Sequence, residues 1–223
     1  MKVVVAKQIL KANDQIAAGN RARFDSAGIY AVNVLGSPGA GKTSLLESLA
    51  QHLAGRVKPA AIEGDLATSR DAERIQALGW PTLQINTDGG CHLDANMVAA
   101  GLGEIDLAQV ELLFIDNVGN LVCTASYQLG ERLRLVVLSI TEGDEKIVKY
   151  PPMFQRADAI VFNKIDLLPH TDFDVQRARD DALHLKPDLD FFEVSARTGE
   201  GVAELAGWLV GKRQEWLTGT VRD

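Results

Sequence analysis

The segment Gly36-Ser37-Pro38-Gly39-Ala40-Gly41-Lys42-Thr43 matches the phosphate-binding pattern G-x-x-x-x-G-K-[ST] at every fixed position. An apolar run at 29–35 precedes it and predicts a strand, and the residues that follow it predict a helix. A glycine turn in this context directs backbone N–H groups at one point, where a phosphate chain can bind. Lys42 would add positive charge beside the phosphates, and the Thr43 hydroxyl would bind Mg²⁺. We therefore predict that this segment, extended by Ser44, binds a nucleoside triphosphate, the alternative being a glycine turn that only joins a strand to a helix.

A second motif, Asn163-Lys164-Ile165-Asp166, follows an apolar run and matches the guanine-binding pattern N-K-x-D of GTPases. A carboxylate at Asp166 can accept hydrogen bonds from both N1–H and the 2-amino group of guanine. Adenine offers an acceptor at N1, so it would leave a desolvated carboxylate unpaired, at a large cost in free energy. Lys164 can lie over the base and Asn163 can join the surrounding loops. The shorter segment Ser195-Ala196-Arg197 is similar to the last GTPase motif, and together the motifs predict a GTP site rather than a polar strand end.

Acidic residues follow two further apolar runs. The predicted strand 112–116 ends in Asp116, and Asp116-Asn117-Val118-Gly119 matches D-x-x-G. Asp116 would hold a water of Mg²⁺, and the Gly119 N–H would contact the γ-phosphate. Glu63-Gly64-Asp65 offers another carboxylate to the metal, although these residues could equally form a solvated turn. No glutamine directly follows D-x-x-G, so slow intrinsic hydrolysis is expected. The catalytic candidates are Lys42, Asp65 and Asp116, and the candidate Mg²⁺ ligands are Thr43, Asp65 and Asp116.

Alternating apolar and amphipathic segments predict the elements that must position these residues. The predicted strands are 29–35, 58–62, 82–85, 112–116, 133–140, 159–162 and 191–194, and the predicted helices are 43–53, 69–78, 174–185 and 199–216. This order is typical of an α/β P-loop NTPase, with a mostly parallel central sheet and helices on both faces. Its ligands bind beyond the carboxyl ends of the strands. Residues 1–27 predict an N-terminal helical extension with a stop or bend at Gly19-Asn20, and residues 28–223 a P-loop GTPase domain.

Composition limits the other functions. The net charge of −7 over 223 residues argues against a nucleic-acid partner. No apolar stretch approaches the roughly 20 residues that span a bilayer, and the first residues do not match a signal peptide, so we expect a cytoplasmic protein with no membrane partner. A disulfide between Cys91 and Cys123 is not expected there. From the residues alone, these thiols are either buried and inert or available for metal or redox chemistry.

With these motifs in place, the chain resembles the hydrogenase and urease nickel-incorporation GTPases over nearly its whole length, and most closely the hydrogenase maturation members. Besides the motifs above, the resemblance rests on Gly89-Gly90-Cys91-His92-Leu93, on Asn117-Val118-Gly119-Asn120-Leu121-Val122-Cys123, and on Thr141-Glu142-Gly143-Asp144 with Lys149-Tyr150-Pro151. It implies a GTPase that dimerises when GTP is bound and delivers nickel during maturation of nickel–iron hydrogenase. It also implies nickel or zinc ligands at Cys91, His92 and Cys123 at the subunit interface. The implied partners are a second subunit, other hydrogenase maturation proteins and the hydrogenase large subunit.

The chemistry of these side chains is compatible with that role. Thiolate and imidazole suit Ni²⁺ and Zn²⁺, and three ligands per subunit leave a site that a two-fold-related subunit could complete. Cys123 follows Asp116 closely, so a γ-phosphate-dependent shift of that loop could move a metal ligand. The alternatives are a urease accessory GTPase, whose motif places a proline between cysteine and histidine, and a GTP-dependent switch with core cysteines and no metal role.

Three features depart from the family pattern. Asp116 stands where the family usually has glutamate, and Thr124 stands where it usually has proline. The N-terminal cysteine motif and histidine-rich tract of some members are not found in this sequence. Since the other histidines are scattered, His92 is the credible histidine ligand.

Overall fold

A seven-stranded parallel sheet forms the centre of the protein in the computed structural model, which describes residues 4–65 and 69–219. The strands lie in the order β3-β2-β4-β1-β5-β6-β7, and each neighbouring pair is parallel. They are β1 Tyr30–Gly36, β2 Pro59–Asp65, β3 Thr82–Asn86, β4 Leu112–Asp116, β5 Leu133–Ser139, β6 Ala159–Asn163 and β7 Asp190–Val194. All seven predicted strands are confirmed. The central strands β1, β4, β5 and β6 are buried at every residue, as expected of parallel strands covered on both faces.

Helices cover both faces of this sheet, as predicted. In the described ranges they are α1 Val4–Ser26, α2 Lys42–Leu53, α3 Arg70–Gln76, α4 Ala95–Gly101, α5 Cys123–Ser126, α6 Lys146–Lys149, α7 Pro151–Phe154, α8 Val175–Leu185 and α9 Val202–Leu217. Short 3-10 helices lie at Leu102–Glu104, Leu107–Gln109, Ile140–Glu142 and Ile165–His170. One apolar cluster joins α2, α3 and α9 to the sheet, and two others join α1 with α4 and α7 with α8 to it. The α/β P-loop fold is therefore confirmed.

The N-terminal helix α1 is continuous from Val4 to Ser26, so the predicted helix stop at Gly19-Asn20 is wrong. Asn20 is 1% exposed, and its Nδ2 donates to the carbonyl oxygens of Ala95 (2.8 Å) and Leu129 (3.0 Å). The amide therefore serves tertiary contacts and does not compete with the helix backbone for hydrogen bonds. Phe24, near the end of the helix, is fully buried in the cluster with α4 and the sheet.

The alternative of a solvated turn at Glu63-Gly64-Asp65 is excluded, because strand β2 continues through these residues to Asp65. Glu63 is paired with Asp116 in the parallel register of β2 and β4. The two carboxyl groups therefore approach each other at the carboxyl end of the sheet. No helix in the described ranges has the length and apolar character needed to cross a membrane.

Candidate functional site

The residues predicted to bind nucleotide gather at the carboxyl edge of the sheet. The loop 37–41 joins the last residue of β1, Gly36, to the first residue of α2, Lys42. Strands β2, β4 and β6 end in Asp65, Asp116 and Asn163. The topology thus places residues from distant parts of the sequence around one site, as expected for an open parallel sheet.

Two glycines allow the loops of this site to lie against one another. Gly41 has φ of 92°, and a Cβ there would overlap the Asn163 amide. A Cβ on Gly119 would lie 2.8 Å from the Cα of Pro38. The D-x-x-G segment therefore packs directly on the phosphate loop, and each can respond to movement of the other.

Asn163 connects the loops around a cavity of about 630 Å³. Its Nδ2 donates to the Ala40 carbonyl (2.9 Å), and its Oδ1 accepts from the backbone N–H of Lys164 (2.8 Å) and of Ala196 (3.1 Å). This side chain is buried and joins the phosphate loop to both other nucleotide motifs. Its geometry matches the connecting role predicted from the sequence.

Asp166 and Lys164 line the same cavity. The Ser195 hydroxyl donates to Asp166 Oδ1 at 2.6 Å and accepts from the backbone N–H of Thr198 at 3.1 Å. These contacts orient the Asp166 carboxylate. Lys164 Nζ donates to the Gly39 carbonyl at 2.7 Å, which holds its alkyl chain across the cavity. A planar base can thus be bounded on its face by Lys164 and read along its edge by Asp166.

Lys42, Thr43 and Asp116 meet in a second cavity, of about 250 Å³. Thr43 Oγ1 donates to Asp116 Oδ2 at 3.0 Å, and Lys42 Nζ lies 3.6 Å from Asp116 Oδ1. Asp65 lines the same cavity, as predicted, and so does Asp71 from α3, which the sequence analysis did not single out. The cavity is small and polar, which suits phosphate oxygens and a small cation.

The donor set of this cavity fits Mg²⁺. Among the described residues, Glu63 Oε1 and Asp116 Oδ1 are buried oxygens that accept no hydrogen bond from an amide, ammonium or hydroxyl group. A threonine hydroxyl and carboxylate oxygens are the protein ligands that Mg²⁺ prefers beside phosphate oxygens and water. Thr43, Asp65 and Asp116 can therefore take the places assigned to them, and Glu63 is a further oxygen donor.

Glu63 and Asp116 form a coupled pair of buried carboxyl groups. Glu63 is 4% exposed, and burial followed by the charge of Asp116 raises its pKa to about 10. Burial also raises the pKa of Asp116, which Lys42 and Thr43 oppose. Glu63 therefore carries a proton at neutral pH and donates it in a hydrogen bond to Asp116. The sequence contained these residues, but the shared proton follows only from the strand register.

Glu63→Gln is expected to flatten the pH dependence of stability in the nucleotide-free and Mg²⁺-free protein. Since the folded pKa lies above the unfolded one, Glu63 contributes stability at acid pH that is lost as the pH rises towards about 10. The loss for one proton is at most about 1.4 kcal/mol per pH unit. This loss is measured by denaturant unfolding at pH 6, 7.5 and 9, with tryptophan fluorescence as the probe. The exposed Glu104→Gln is the control. If the free energy of unfolding had the same slope against pH in wild type and in Glu63→Gln, the protonated state of Glu63 would be contradicted.

The predicted metal ligands Cys91, His92 and Cys123 also come together. One ligand atom from each lies within 4.8 Å of the others, and all three residues are half-buried. Cys91 Sγ lies 3.6 Å from His92 Nδ1, and the His92 ring stacks on Tyr127 with centroids 3.9 Å apart. Neither cysteine is a core residue, contrary to the core alternative, and both are free thiols. Tyr127 has no sequence motif that would have revealed its contact.

The electrostatics favour the uncharged forms of His92 and Cys123 before a metal binds. Burial lowers the pKa of His92, so the imidazole is neutral and can act as a ligand at neutral pH. A hydrogen bond with Cys91, followed by burial, raises the pKa of Cys123. The Cys123 thiol is therefore protonated in the metal-free protein, and its coordination to a metal must release a proton.

Cys123 is tied to the phosphate site by a closely bonded segment. The Asn120 N–H donates to the Gly36 carbonyl at 2.9 Å, and Asn120 Oδ1 accepts from the Cys123 N–H at 2.9 Å. Thr124, at the position where proline is usual, donates its hydroxyl hydrogen to the Asn120 carbonyl. The start of α5 is thereby fixed, and Cys123 with it.

The N-terminal helix holds both segments that carry the metal ligands. Asn13 Oδ1 accepts from the Ala95 N–H at 2.9 Å, and Asn13 Nδ2 donates to the Gln128 carbonyl at 2.8 Å. Asn20 bridges the same two segments through Ala95 and Leu129. The sequence does not reveal these contacts, because the hydrogen-bond partners of the two helical asparagines are distant along the chain.

Comparison with known proteins gives the family. The family model described as CobW/HypB/UreG, nucleotide-binding domain, matches residues 30–193. The hydrogenase maturation factor HypB of Azotobacter vinelandii is 49% identical over 209 residues, which span 94% of this chain and 69% of that protein. HypB of Escherichia coli K12 is 44% identical over 205 residues, spanning 92% and 71%. The crystal structure of Helicobacter pylori HypB in complex with nickel superposes with a TM-score of 0.88 at 38% identity, covering 92% of this chain and 96% of that one. The protein is therefore a member of the CobW/HypB/UreG family of nucleotide-binding proteins, and within it of the hydrogenase maturation factors HypB.

Proposed function

We propose that this protein is a GTP-hydrolysing metallochaperone that delivers nickel during maturation of nickel–iron hydrogenase. The observation that carries the proposal is the cluster of Cys91, His92 and Cys123, joined to the phosphate site by the segment from Asp116 to Cys123. The nickel complex of the H. pylori relative and the similarity to hydrogenase maturation factors HypB support it.

GTP is the proposed nucleotide. Asp166 is oriented by Ser195 at the edge of the larger cavity, where it can accept the two hydrogen bonds that guanine offers and adenine lacks. Asn163, Lys164 and the backbone of Ala196 complete that subsite. The phosphate chain would bind along residues 36–44.

Hydrolysis is proposed to depend on Lys42, Asp65, Asp116 and the Gly119 N–H. Bound Mg²⁺ would neutralise phosphate charge, with Thr43, Asp65 and Asp116 as the residues that hold it directly or through water. Lys42 is the only cation among the described residues that line the smaller cavity. With no arginine or glutamine placed there to stabilise the transition state or orient water, the intrinsic rate is expected to be slow.

Nickel, with zinc as a competitor, is the proposed cargo. Two cysteine sulfurs and one imidazole provide three soft or borderline ligands, which form an open site rather than a closed tetrahedral one. A second copy of the chain in the GTP-bound state could complete the coordination across a two-fold axis. Hydrogenase maturation proteins and the hydrogenase large subunit are the proposed recipients. A cytoplasmic location belongs to the same proposal, and the two free thiols support it.

The test is bound Ni²⁺ per subunit together with molar mass by light scattering, with GDP and with a non-hydrolysable GTP analogue. We expect the analogue to give a dimer with shared nickel, and Cys91→Ala or His92→Ala to lower nickel affinity at least 100-fold without changing nucleotide affinity. The exposed His170→Ala is the matched control.

The alternatives predict other results. A protein that binds GTP and dimerises without binding nickel in either state would be a switch with no metal role. Nickel binding that is unchanged by both ligand variants would place the cargo elsewhere on the chain. Either result would overturn the metallochaperone proposal.

A further inference from the structure

Four buried polar side chains connect the nucleotide site to the metal site through the core. Asn117, Asn33, Glu131 and Arg134, here called the polar chain, are 1%, 0%, 5% and 7% exposed. Asn117 Nδ2 donates to Asn33 Oδ1 at 3.2 Å, and Asn33 Nδ2 donates to Glu131 Oε1 at 3.2 Å. Arg134 Nε donates to the same Glu131 oxygen at 2.7 Å. Asn33 lies within the otherwise apolar strand β1, and Arg134 lies within β5.

One end of the polar chain lies between the phosphate-sensing loop and the first metal-binding segment. Asn117 directly follows Asp116 and belongs to the D-x-x-G segment. Its Oδ1 accepts from the backbone N–H of Val118 at 3.0 Å and of Leu93 at 3.1 Å. Leu93 directly follows His92, so one amide oxygen joins the γ-phosphate loop to a metal ligand.

The other end holds the second metal-binding segment. Arg134 donates from Nη1 to the Ala125 carbonyl at 3.0 Å and from Nη2 to the Tyr127 carbonyl at 2.7 Å. Ala125 lies in α5, which begins at Cys123, and the Tyr127 ring stacks on His92. The polar chain therefore contacts both segments that supply metal ligands.

Stability does not account for these residues. A buried ion pair such as Glu131–Arg134 loses about as much free energy in desolvation as it gains, and well-packed apolar residues often serve as well or better. Asn33 within strand β1 and Asn117 just after strand β4 are also buried, and their amide groups add further desolvation. What a fully bonded buried network does provide is a fixed geometry, in which displacement of one member is resisted by all the others.

We infer that the polar chain is a positioning device through which the nucleotide state at D-x-x-G sets the spacing of the metal ligands. The inference rests on the proposed function. It adds a second connection between the nucleotide site and the metal ligands, besides the direct one through Asn120. When γ-phosphate contacts draw residues 116–119 towards the phosphate loop, the hydrogen bond from the Leu93 N–H to Asn117 changes. The same displacement reaches Ala125 and Tyr127 through Arg134. Asn33, Glu131 and Arg134 line neither nucleotide cavity and do not belong to the Cys91, His92 and Cys123 cluster.

The experiment measures the ratio of nickel affinities in the GDP state and in the GTP-analogue state. We expect a wild-type ratio within the 5- to 150-fold range that is typical of allosteric coupling. Asn33→Ala, which interrupts the polar chain at its middle, should bring the ratio to within about twofold of unity while each nucleotide still binds with wild-type affinity. Glu131→Gln keeps the shape of the side chain and removes its charge. It should bring the ratio part of the way from the wild-type value towards unity. The nickel–thiolate absorption band, compared between the two states, should lose its nucleotide dependence in parallel.

Two controls separate positioning from general destabilisation. Leu209→Ala removes buried atoms from α9, outside the polar chain, and should retain the wild-type ratio. In wild type, amide hydrogen exchange at Leu93 and Leu129, which donate to Asn117 and Glu131, should change together between the nucleotide states. This measurement needs no variant to fold.

The outcomes are distinguishable from those of the proposed function. A wild type that binds nickel with a nucleotide-dependent ratio, together with an unchanged ratio in Asn33→Ala and Glu131→Gln, would overturn the inference and leave the proposed function standing. Unchanged exchange at Leu93 and Leu129 would overturn it as well. A wild type without nickel binding, or without nucleotide dependence, would overturn both.

Discussion

Replacing Asp166 by asparagine is expected to weaken GTP binding by a factor of about 10² to 10⁴ and to admit xanthosine triphosphate. The substitution affects two hydrogen bonds from guanine to the charged Asp166 carboxylate, which contribute about 1.5–3 kcal/mol each. Asparagine keeps one acceptor for N1–H, but its NH₂ group faces the 2-amino group of guanine, so donor meets donor. Xanthine carries an oxygen at that position and accepts the new donor. The Ser195 hydroxyl, which fixes Asp166 at 2.6 Å, should orient the amide in the same way.

Titration calorimetry with GDP, XDP and ADP measures this change in specificity. The matched control is Asp172→Asn, which alters an exposed aspartate six positions later and should leave all three affinities unchanged. Wild-type GDP affinity in Asp166→Asn would refute the assignment of the guanine subsite. A loss of GDP affinity with no gain for XDP would indicate that Asp166 supports the loop instead of reading the base.

The elements of the fold were predictable from the sequence because buried parallel strands are continuous apolar runs. The run 159–162, for example, has no polar residue, and the strand formed is Ala159–Asn163. Strand ends were less well predicted where polar residues continue a strand. The predicted strand ended at residue 62, yet Glu63 and Asp65 also lie in β2, because pairing with β4 and β3 satisfies their backbone groups.

The nucleotide motifs were predictable for a different reason. A phosphate loop and N-K-x-D are local segments in which spacing alone specifies the chemistry. The metal residues Cys91, His92 and Cys123 came from resemblance, since their residue types left core thiols as an alternative. The fold brings one ligand atom from each of them within 4.8 Å of the others.

The remaining features depend on contacts between segments that are far apart in the sequence. The raised pKa of Glu63 requires the register that places it beside Asp116. The polar chain requires β1, β5 and the D-x-x-G loop to meet. Asn33 in an apolar strand was the visible sign, because a buried amide requires partners. Which partners it would find could not be read from the sequence.

Replacing Lys42 by alanine is expected to reduce the rate of GTP hydrolysis by about 10² to 10³, the usual cost of losing one preorganised group that stabilises transition-state charge. The effect should be large here because the other charged groups lining the smaller cavity, among the residues described, are carboxyl groups. Lys42 Nζ lies 3.6 Å from Asp116 Oδ1, so it is already held beside the cavity where phosphate charge will develop. Lys42→Arg should not restore the rate, because a planar guanidinium is larger than the ammonium group it replaces.

The decisive comparison is single-turnover hydrolysis of saturating GTP, which removes any effect of the variant on affinity. GDP should still bind, because the guanine subsite is built from Asp166 and Asn163 and does not include Lys42. Lys212→Ala, which removes a lysine paired with Asp190 and distant from either cavity, should retain the wild-type rate. A Lys42→Ala rate within threefold of wild type would mean that the phosphate loop binds nucleotide without catalysing its hydrolysis.

Because Lys42 is also the cation beside the Glu63–Asp116 pair, its removal should raise the proton affinity of that pair further. The variant should then need more Mg²⁺ than wild type to reach its residual rate, and an unchanged Mg²⁺ requirement would show that Lys42 and the metal act independently.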